Sequence, residues 1–184
     1  MVVLETDRLL FRDHQLGDLD PFCAIEGDAE FRRFVGGRPR TRAAAEEKFR
    51  RQYLPAVQDR LGLWATIYKP EGCYIGYCGV YPHFGPMGSI PGEGTLAFYL
   101  ARPYWRKGLA TEAGLAFIHF AFSELKLSRL VATVETGNDA SVRVLTKLGF
   151  ARLRHEEGER RSFDHFGLST KRNDESASSL RLWK

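Results

Sequence analysis

Cysteine is scarce in this 184-residue chain: Cys23, Cys73 and Cys78 make an odd set of three with no CxxC pair. Such a set builds neither a disulfide framework nor a zinc cluster, so no metal is expected, and a reducing, cytoplasmic compartment is. Long apolar runs are missing too. The longest, residues 114–122, is broken by His119 and falls far short of the roughly 20 residues a membrane-spanning helix needs. Glu5, Asp7 and Arg8 interrupt the opening where a signal peptide requires an apolar run, so neither secretion nor membrane association is expected. No GxxxxGK[ST] is present, and no GxGxxG follows the first strand, which removes the best evidence for an ATPase or a dinucleotide enzyme. No internal repeat is visible.

What is there resembles an ordinary globular domain, with 43% hydrophobic and 27% charged residues. A chain of this length buries roughly 70% of its unfolded surface, enough for a core without staples. Residues 1–170 are expected to form one domain, and the polar, serine-rich residues 171–184 a flexible tail. The net charge of +4 and the basic segments Arg38/Arg40/Arg42 and Arg50-Arg51 invite a nucleic-acid reading. Glu46-Glu47 lie among those arginines, however, and dispersed cations describe a solvated helix face better than one positive surface. No specific nucleic-acid partner is expected.

Residues 8–12 read as a strand and residues 18–34 as a helix, with Asp18 or Asp20 as its cap. Ala45, Phe49 and Tyr53 give a second amphipathic helix behind Thr41. Residues 63–68, 74–81 and 95–101 are aromatic or β-branched runs bounded by Pro or Gly, hence strands, the first two joined by a turn at residues 70–72. Residues 82–94 hold four glycines and three prolines and are expected to be a long mobile loop. Residues 110–125 are apolar nearly all round, as in a helix packed deep against a sheet. A strand at 129–135 and a helix at 139–148 follow. Asn138 is the N-cap of that helix, Gly149 fits its left-handed C′ position, and Phe150 the accompanying apolar contact. Strands at 151–154 and 162–169 close a mixed α/β pattern.

The stretch YLARPYWRKGLATEAG runs from a strand through a glycine turn into a helix N-terminus. Unpaired N–H groups of the first helical turn, the macrodipole and the bare backbone of Gly108 together make an anion site, to which Arg106, Lys107 and Thr111 add charge and a hydroxyl. The alternative is a plain turn with solvated cations. WRKGLA, residues 105–110, resembles the pyrophosphate loop [QR]xxGx[GA] of the GNAT superfamily of acetyl-CoA-dependent N-acetyltransferases, with Trp105 at a position where Gln or Arg is usual. YWxKGxATEA, the opening LETDRLLFR (residues 4–12) and NDASVRVLTKLGF (residues 138–150) resemble the branch of ribosomal-protein N-terminal acetyltransferases (RimJ/RimL-like). The likeness covers residues 3–169.

That resemblance implies a mixed, mainly antiparallel α/β (α+β) sheet with flanking helices and one splayed strand pair. The strand at 95–101 would carry a bulge and part from the strand at 129–135, leaving room for pantetheine. It assigns backbone groups near Leu100 and Arg102 to pantetheine and acetyl, and the N–H groups of Lys107, Gly108, Leu109, Ala110 and Thr111 to the pyrophosphate. It also puts Asn138 on the cosubstrate and Ser141 near its sulfur as proton donor, although local helix capping explains both residues equally. Arg143 and Lys147 are candidates for the 3′-phosphate. A bulge-freed N–H near Leu100 would hold the oxyanion. Glu93 is the carboxylate nearest the central strand and a candidate base, with Tyr77, Tyr81 and His83 as pocket residues. The implied reaction is direct acetyl transfer to a primary amine, a peptide or protein N-terminus or a small molecule, by a monomer or homodimer. A CoA-binding sensor or scaffold without turnover is the alternative, and a nucleic-acid-binding module a third.

Overall fold

The computed structural model describes residues 2–55 and 60–170, so the expected tail at 171–184 lies outside the described residues. Eight strands form one sheet in the order β1-β2-β3-β4-β5-β6-β8-β7. They are β1 (Val2–Glu5), β2 (Leu9–Arg12), β3 (Gly62–Tyr68), β4 (Cys73–Gly85), β5 (Gly88–Leu100), β6 (Arg129–Glu135), β7 (Ala151–Glu156) and β8 (Phe163–Ser169). Every neighbouring pair is antiparallel except β5 and β6. The expected mixed, mainly antiparallel sheet is the one observed.

Alternation along the strands sends side chains into two cores. On one face Phe11, Val80, Leu96, Leu130 and Phe166 meet α4 (Leu109–His119) and α5 (Asp139–Lys147). Phe117 of α4 is fully buried and stacks edge-on against Phe11 at 4.7 Å; burial of one such ring stabilises by about 1.5–3 kcal/mol. On the opposite face Tyr77 packs with α1 (Leu19–Gly27), α2 (Ala29–Arg33) and α3 (Arg42–Lys48) through Phe22, Phe31 and Ala45.

Several expectations change. The helix expected at 18–34 is two helices, because Asp28 is extended at ψ 122° and its carboxylate accepts the N–H of Phe31 at 2.9 Å, capping a fresh start. Asp18 does not cap α1 with its side chain; it closes the preceding 3-10 turn Leu16–Asp18 by accepting from Gln15 N–H at 2.8 Å, and it pairs with Arg12 at 2.7 Å. Thr41 does cap α3, but the helix widens into a π-turn at Phe49–Tyr53. An extra strand, β1, precedes the first expected one.

Residues 82–94 are no mobile loop. They are the distal half of the β4–β5 hairpin, which closes with Gly85 opposite Gly88 and only Pro86 and Met87 between them. Proline removes a donor and so avoids regular ladders. Here Pro86 sits in the turn and Pro91 in an unpaired excursion of β5, where no ladder N–H is required. That excursion is the β5 bulge. It falls between Ser89 and Gly94, not near Leu100, since the register from Gly94 to Leu100 against β4 is unbroken.

Candidate active site

β5 and β6 are parallel and paired only through Glu93↔Arg129, Gly94↔Leu130 and Thr95↔Val131. Beyond Thr95 and Val131 the strands part, β5 continuing to Leu100 with β4 and β6 continuing to Glu135 with β8. The splayed pair is therefore present. Ala101 N–H donates to Ile75 of β4 at 2.8 Å, and a Cβ on Gly76 would strike the Tyr99 carbonyl. Tyr99 and Ala101 thus point their backbone groups at β4. By alternation Phe98 and Leu100 point theirs into the gap. The exposed donors at this edge come from the parting of the strands, not from a bulge near Leu100 as the resemblance implied.

Each of these parallel strands feeds a helix at the same end of the gap. β5 leads to α4 through residues 101–108, and β6 leads to α5 through residues 136–138. Both helix N-termini, with their unpaired N–H groups and positive dipole ends, consequently border the wide end of the gap. Gly108 precedes α4 in the left-handed region at φ 78°, and Arg106 adopts φ 62° just before it. Left-handed backbone costs a side-chain-bearing residue, so Gly108 is favoured by conformation; a Cβ there would meet only Arg8 Nη2 at 3.5 Å, an ordinary contact. The first helical bond of α4 is Glu112 N–H to the Gly108 carbonyl at 3.0 Å. The N–H groups of Leu109, Ala110 and Thr111 precede that bond and point out of the helix end. The Leu109 side chain is buried in the core and contributes only its backbone here.

The turn is held from a distant part of the chain. Arg8 donates through Nη1 to the Lys107 carbonyl at 3.0 Å and through Nε to Glu112 Oε2 at 2.7 Å. Thr6 Oγ1 donates to Glu112 Oε1 at 2.6 Å, and Arg8 N–H to the same oxygen at 2.9 Å. Burial pushes the Glu112 carboxyl up, but the bonds from Thr6 and Arg8 outweigh it and hold it below the usual carboxylate range. Trp105 donates its indole N–H to the Leu100 carbonyl at 2.6 Å, which occupies the acceptor at the end of β5. The side chain at the point of departure from the usual loop motif thus anchors the loop to the strand. Arg102 reaches Asp28 at 3.6 Å.

Asn138 caps α5 by accepting Ser141 N–H at 3.2 Å. The Ser141 side chain is half-buried, and its hydroxyl has no hydrogen-bond partner among the described residues. Arg143 and Lys147 lie exposed on α5 without ion pairs among the described residues. Glu93 stands at the closed end of the gap, bound by Arg129 at 3.3 Å with His83 Nε2 at 3.9 Å. His83 Nδ1 is 3.2 Å from Thr95 Oγ1. Glu93, His83 and Thr95 therefore form a chain ending at the last paired residue of β5, and Glu93 is on a strand, not in a loop.

Beside β5, on the face of α1–α3, lies a cavity of about 410 Å³. Tyr77, Tyr81 and Tyr99 of the sheet form its floor, and Lys48, Arg51 and Tyr53 of the α3 segment its wall. Two of the expected pocket tyrosines are in it and His83 is not. Behind its floor Glu26 is fully buried and binds Lys48 at 3.0 Å, Arg40 at 2.8 Å, Arg32 at 3.2 Å and the Tyr77 hydroxyl at 2.6 Å. Sequence reasoning missed this cluster. Its signal is a carboxylate four residues after Phe22, on the apolar stripe of α1.

Comparison with known proteins agrees with this architecture. The profile of the acetyltransferase (GNAT) domain matches residues 8–151, and the chain belongs to that family. It is 29% identical over 151 residues to the uncharacterized N-acetyltransferase p20 of Bacillus licheniformis, covering 82% of this chain and 83% of p20. Among solved structures, a GNAT-family acetyltransferase from Bacillus anthracis superposes with a TM-score of 0.78 at 20% identity, over 92% of this chain and 98% of the other. A candidate ribosomal-protein-serine acetyltransferase from Vibrio cholerae gives 0.71 at 18% identity, over 91% and 97%. Spermidine N-acetyltransferase from Vibrio cholerae, solved with CoA and spermine, gives 0.70 at 14% identity, over 89% and 96%. At these identities the structures establish the fold alone. The protein is thus an acyltransferase of the GNAT family, with acetyl-CoA as its acetyl donor and an amine as acceptor.

Proposed function

We propose that the chain is a cytoplasmic, single-domain N-acetyltransferase of the RimJ/RimL-like branch, spanning residues 1–170 and acting on a peptide or protein α-amine. The observation that carries the reading is the gap opening after Thr95 and Val131, with Phe98 and Leu100 backbone groups facing it and two helix N-termini at its wide end. Pantetheine lies in the gap as a short extra strand, and the pyrophosphate takes the N–H groups of residues 107–111. Arg143 and Lys147 serve the 3′-phosphate. The acceptor approaches through the tyrosine-floored cavity beside β5.

The amine nitrogen attacks the thioester carbonyl, and the carbon–sulfur bond breaks as the amide forms. N–H groups of Phe98 and Leu100 stabilise the oxyanion, and the uncommitted Ser141 hydroxyl protonates the leaving thiolate. Glu93 takes the amine proton through His83 and water, a longer route than direct contact. An α-amine suits such modest assistance. With a pKa near 7.7–8.0, roughly a quarter of it is neutral at pH 7.4, against about a thousandth of a lysine side chain. Mass spectrometry of peptides carrying a free N-terminus and an internal lysine, incubated with protein and acetyl-CoA, tests this. Acetylation at the N-terminus is expected; acetylation confined to lysine, or none, overturns the acceptor assignment.

A further inference from the structure

We infer that the acceptor carries an anionic group, a carboxylate close to its reactive amine, and that polycationic amines are disfavoured. This rests on the assignment of the tyrosine-floored cavity to the acceptor. The described residues lining that cavity include Lys48 and Arg51 and no carboxylate. The nearest buried acid, Glu26, does not neutralise the wall, because it is shared by Lys48, Arg32 and Arg40, three cations to one carboxylate. Among the described residues Arg51 pairs only with Glu47, at 3.9 Å, and both side chains are well exposed.

The tyrosines add no negative charge. Burial pushes the hydroxyls of Tyr53, Tyr81 and Tyr99 above their ordinary range, so they remain protonated donors. Hydroxyl donors and cations around an apolar floor suit an anion next to an apolar or aromatic body. The same field helps the chemistry, since nearby cations lower the pKa of an amine and raise its neutral, nucleophilic fraction. A second positive charge on the acceptor meets repulsion with no carboxylate among the described lining residues to offset it.

The test uses two tetrapeptide amides that share a serine α-amine and differ only by glutamate or arginine at the second position. The glutamate peptide is expected to show a KM lower by about ten-fold or more, the size of effect one or two partly screened charge contacts produce. Arg51→Glu, an exposed site where the fold is kept, should bring the two within about two-fold or reverse them, with Arg51→Gln intermediate. Calorimetry of the N-acetylated peptides on the CoA-bound protein reads the cavity without turnover and should repeat the preference. Transfer to both peptides with equal KM overturns the charge inference and leaves the acceptor assignment standing. A preference untouched by Arg51→Glu overturns it as well. If neither peptide is acetylated, the α-amine assignment fails. Calorimetry then decides the inference: tighter acidic binding lost in Arg51→Glu upholds it, and equal binding overturns it.

Discussion

Arg8 in the turn between β1 and β2 clasps Glu112 in the first turn of α4, with its Nε and Nη2 both 2.7 Å from Oε2, although 104 residues separate them in the chain. The pair fixes the helix end whose first N–H groups precede the first helical bond, Glu112 N–H to the Gly108 carbonyl. It also joins two segments, the opening LETDRLLFR and the ATEA of α4, that share no local feature in sequence.

Loss of that clasp is expected to weaken CoA binding without touching the cosubstrate. Arg8→Ala leaves Glu112 with one partner fewer and the Lys107 carbonyl unheld, a destabilisation of about 1–3 kcal/mol. Calorimetry should show a higher Kd for CoA, and thermal melting a lower midpoint. The Glu112 carboxyl is held below its ordinary range, so its contribution is present above the unfolded pKa of about 4.3 and is lost as pH falls through the lower folded value. In Glu112→Gln that acid-induced loss should shrink.

Ser141 and Asn138 separate chemistry from capping. Ser141→Ala keeps the backbone N–H that Asn138 caps, so stability should hold while kcat falls by about ten-fold or more and the acetyl-CoA Kd stays nearly constant. Asn138→Ala removes the cap and should cost about 1 kcal/mol in denaturant unfolding.

His14 is buried among Phe49, Tyr53 and Tyr74, with Nε2 donating to the Leu63 carbonyl at 3.2 Å and Nδ1 unpartnered among the described residues. Burial lowers its pKa from 6.5 to about 4. Between those values the unfolded chain binds a proton that the folded chain does not, so stability falls as pH drops from 6.5 toward 4, by up to about 3 kcal/mol. His14→Gln should flatten this part of the stability profile, measured by urea unfolding at a series of pH values.

Glu26 is expected to be the most sensitive charged position away from the reaction. Glu26→Ala leaves Arg32, Arg40 and Lys48 facing one another without their shared carboxylate, a loss of about 3–5 kcal/mol. Chemical denaturation checks the magnitude.

Legibility in the sequence follows the range of the interactions. The ends of α5 are readable because caps are local: Asn138 accepts from Ser141, and Gly149 takes φ 87° before the buried Phe150. The glycine turn before α4 is readable for the same reason, with Gly108 at φ 78° directly ahead of the helix. The distal β4–β5 hairpin was not, because glycine and proline density signals a loop, whereas here Pro86 sits in the turn, Pro91 in the excursion of β5, and Pro82 in the ladder opposite Gly94. The divergence of β5 from β6 and the Arg8–Glu112 clasp arise from pairings between distant segments, and no spacing within either segment encodes them.

Amide hydrogen exchange with and without CoA tests the central assignment most directly. In the free protein the N–H groups of Leu109, Ala110 and Thr111 lack helical acceptors, and those of Phe98 and Leu100 face the open gap, so all five should exchange quickly. Saturation with CoA is predicted to slow them together as phosphate and pantetheine oxygens accept from them. Unchanged exchange at both segments, with protection concentrated elsewhere, would contradict the placement of acetyl-CoA between β5 and β6.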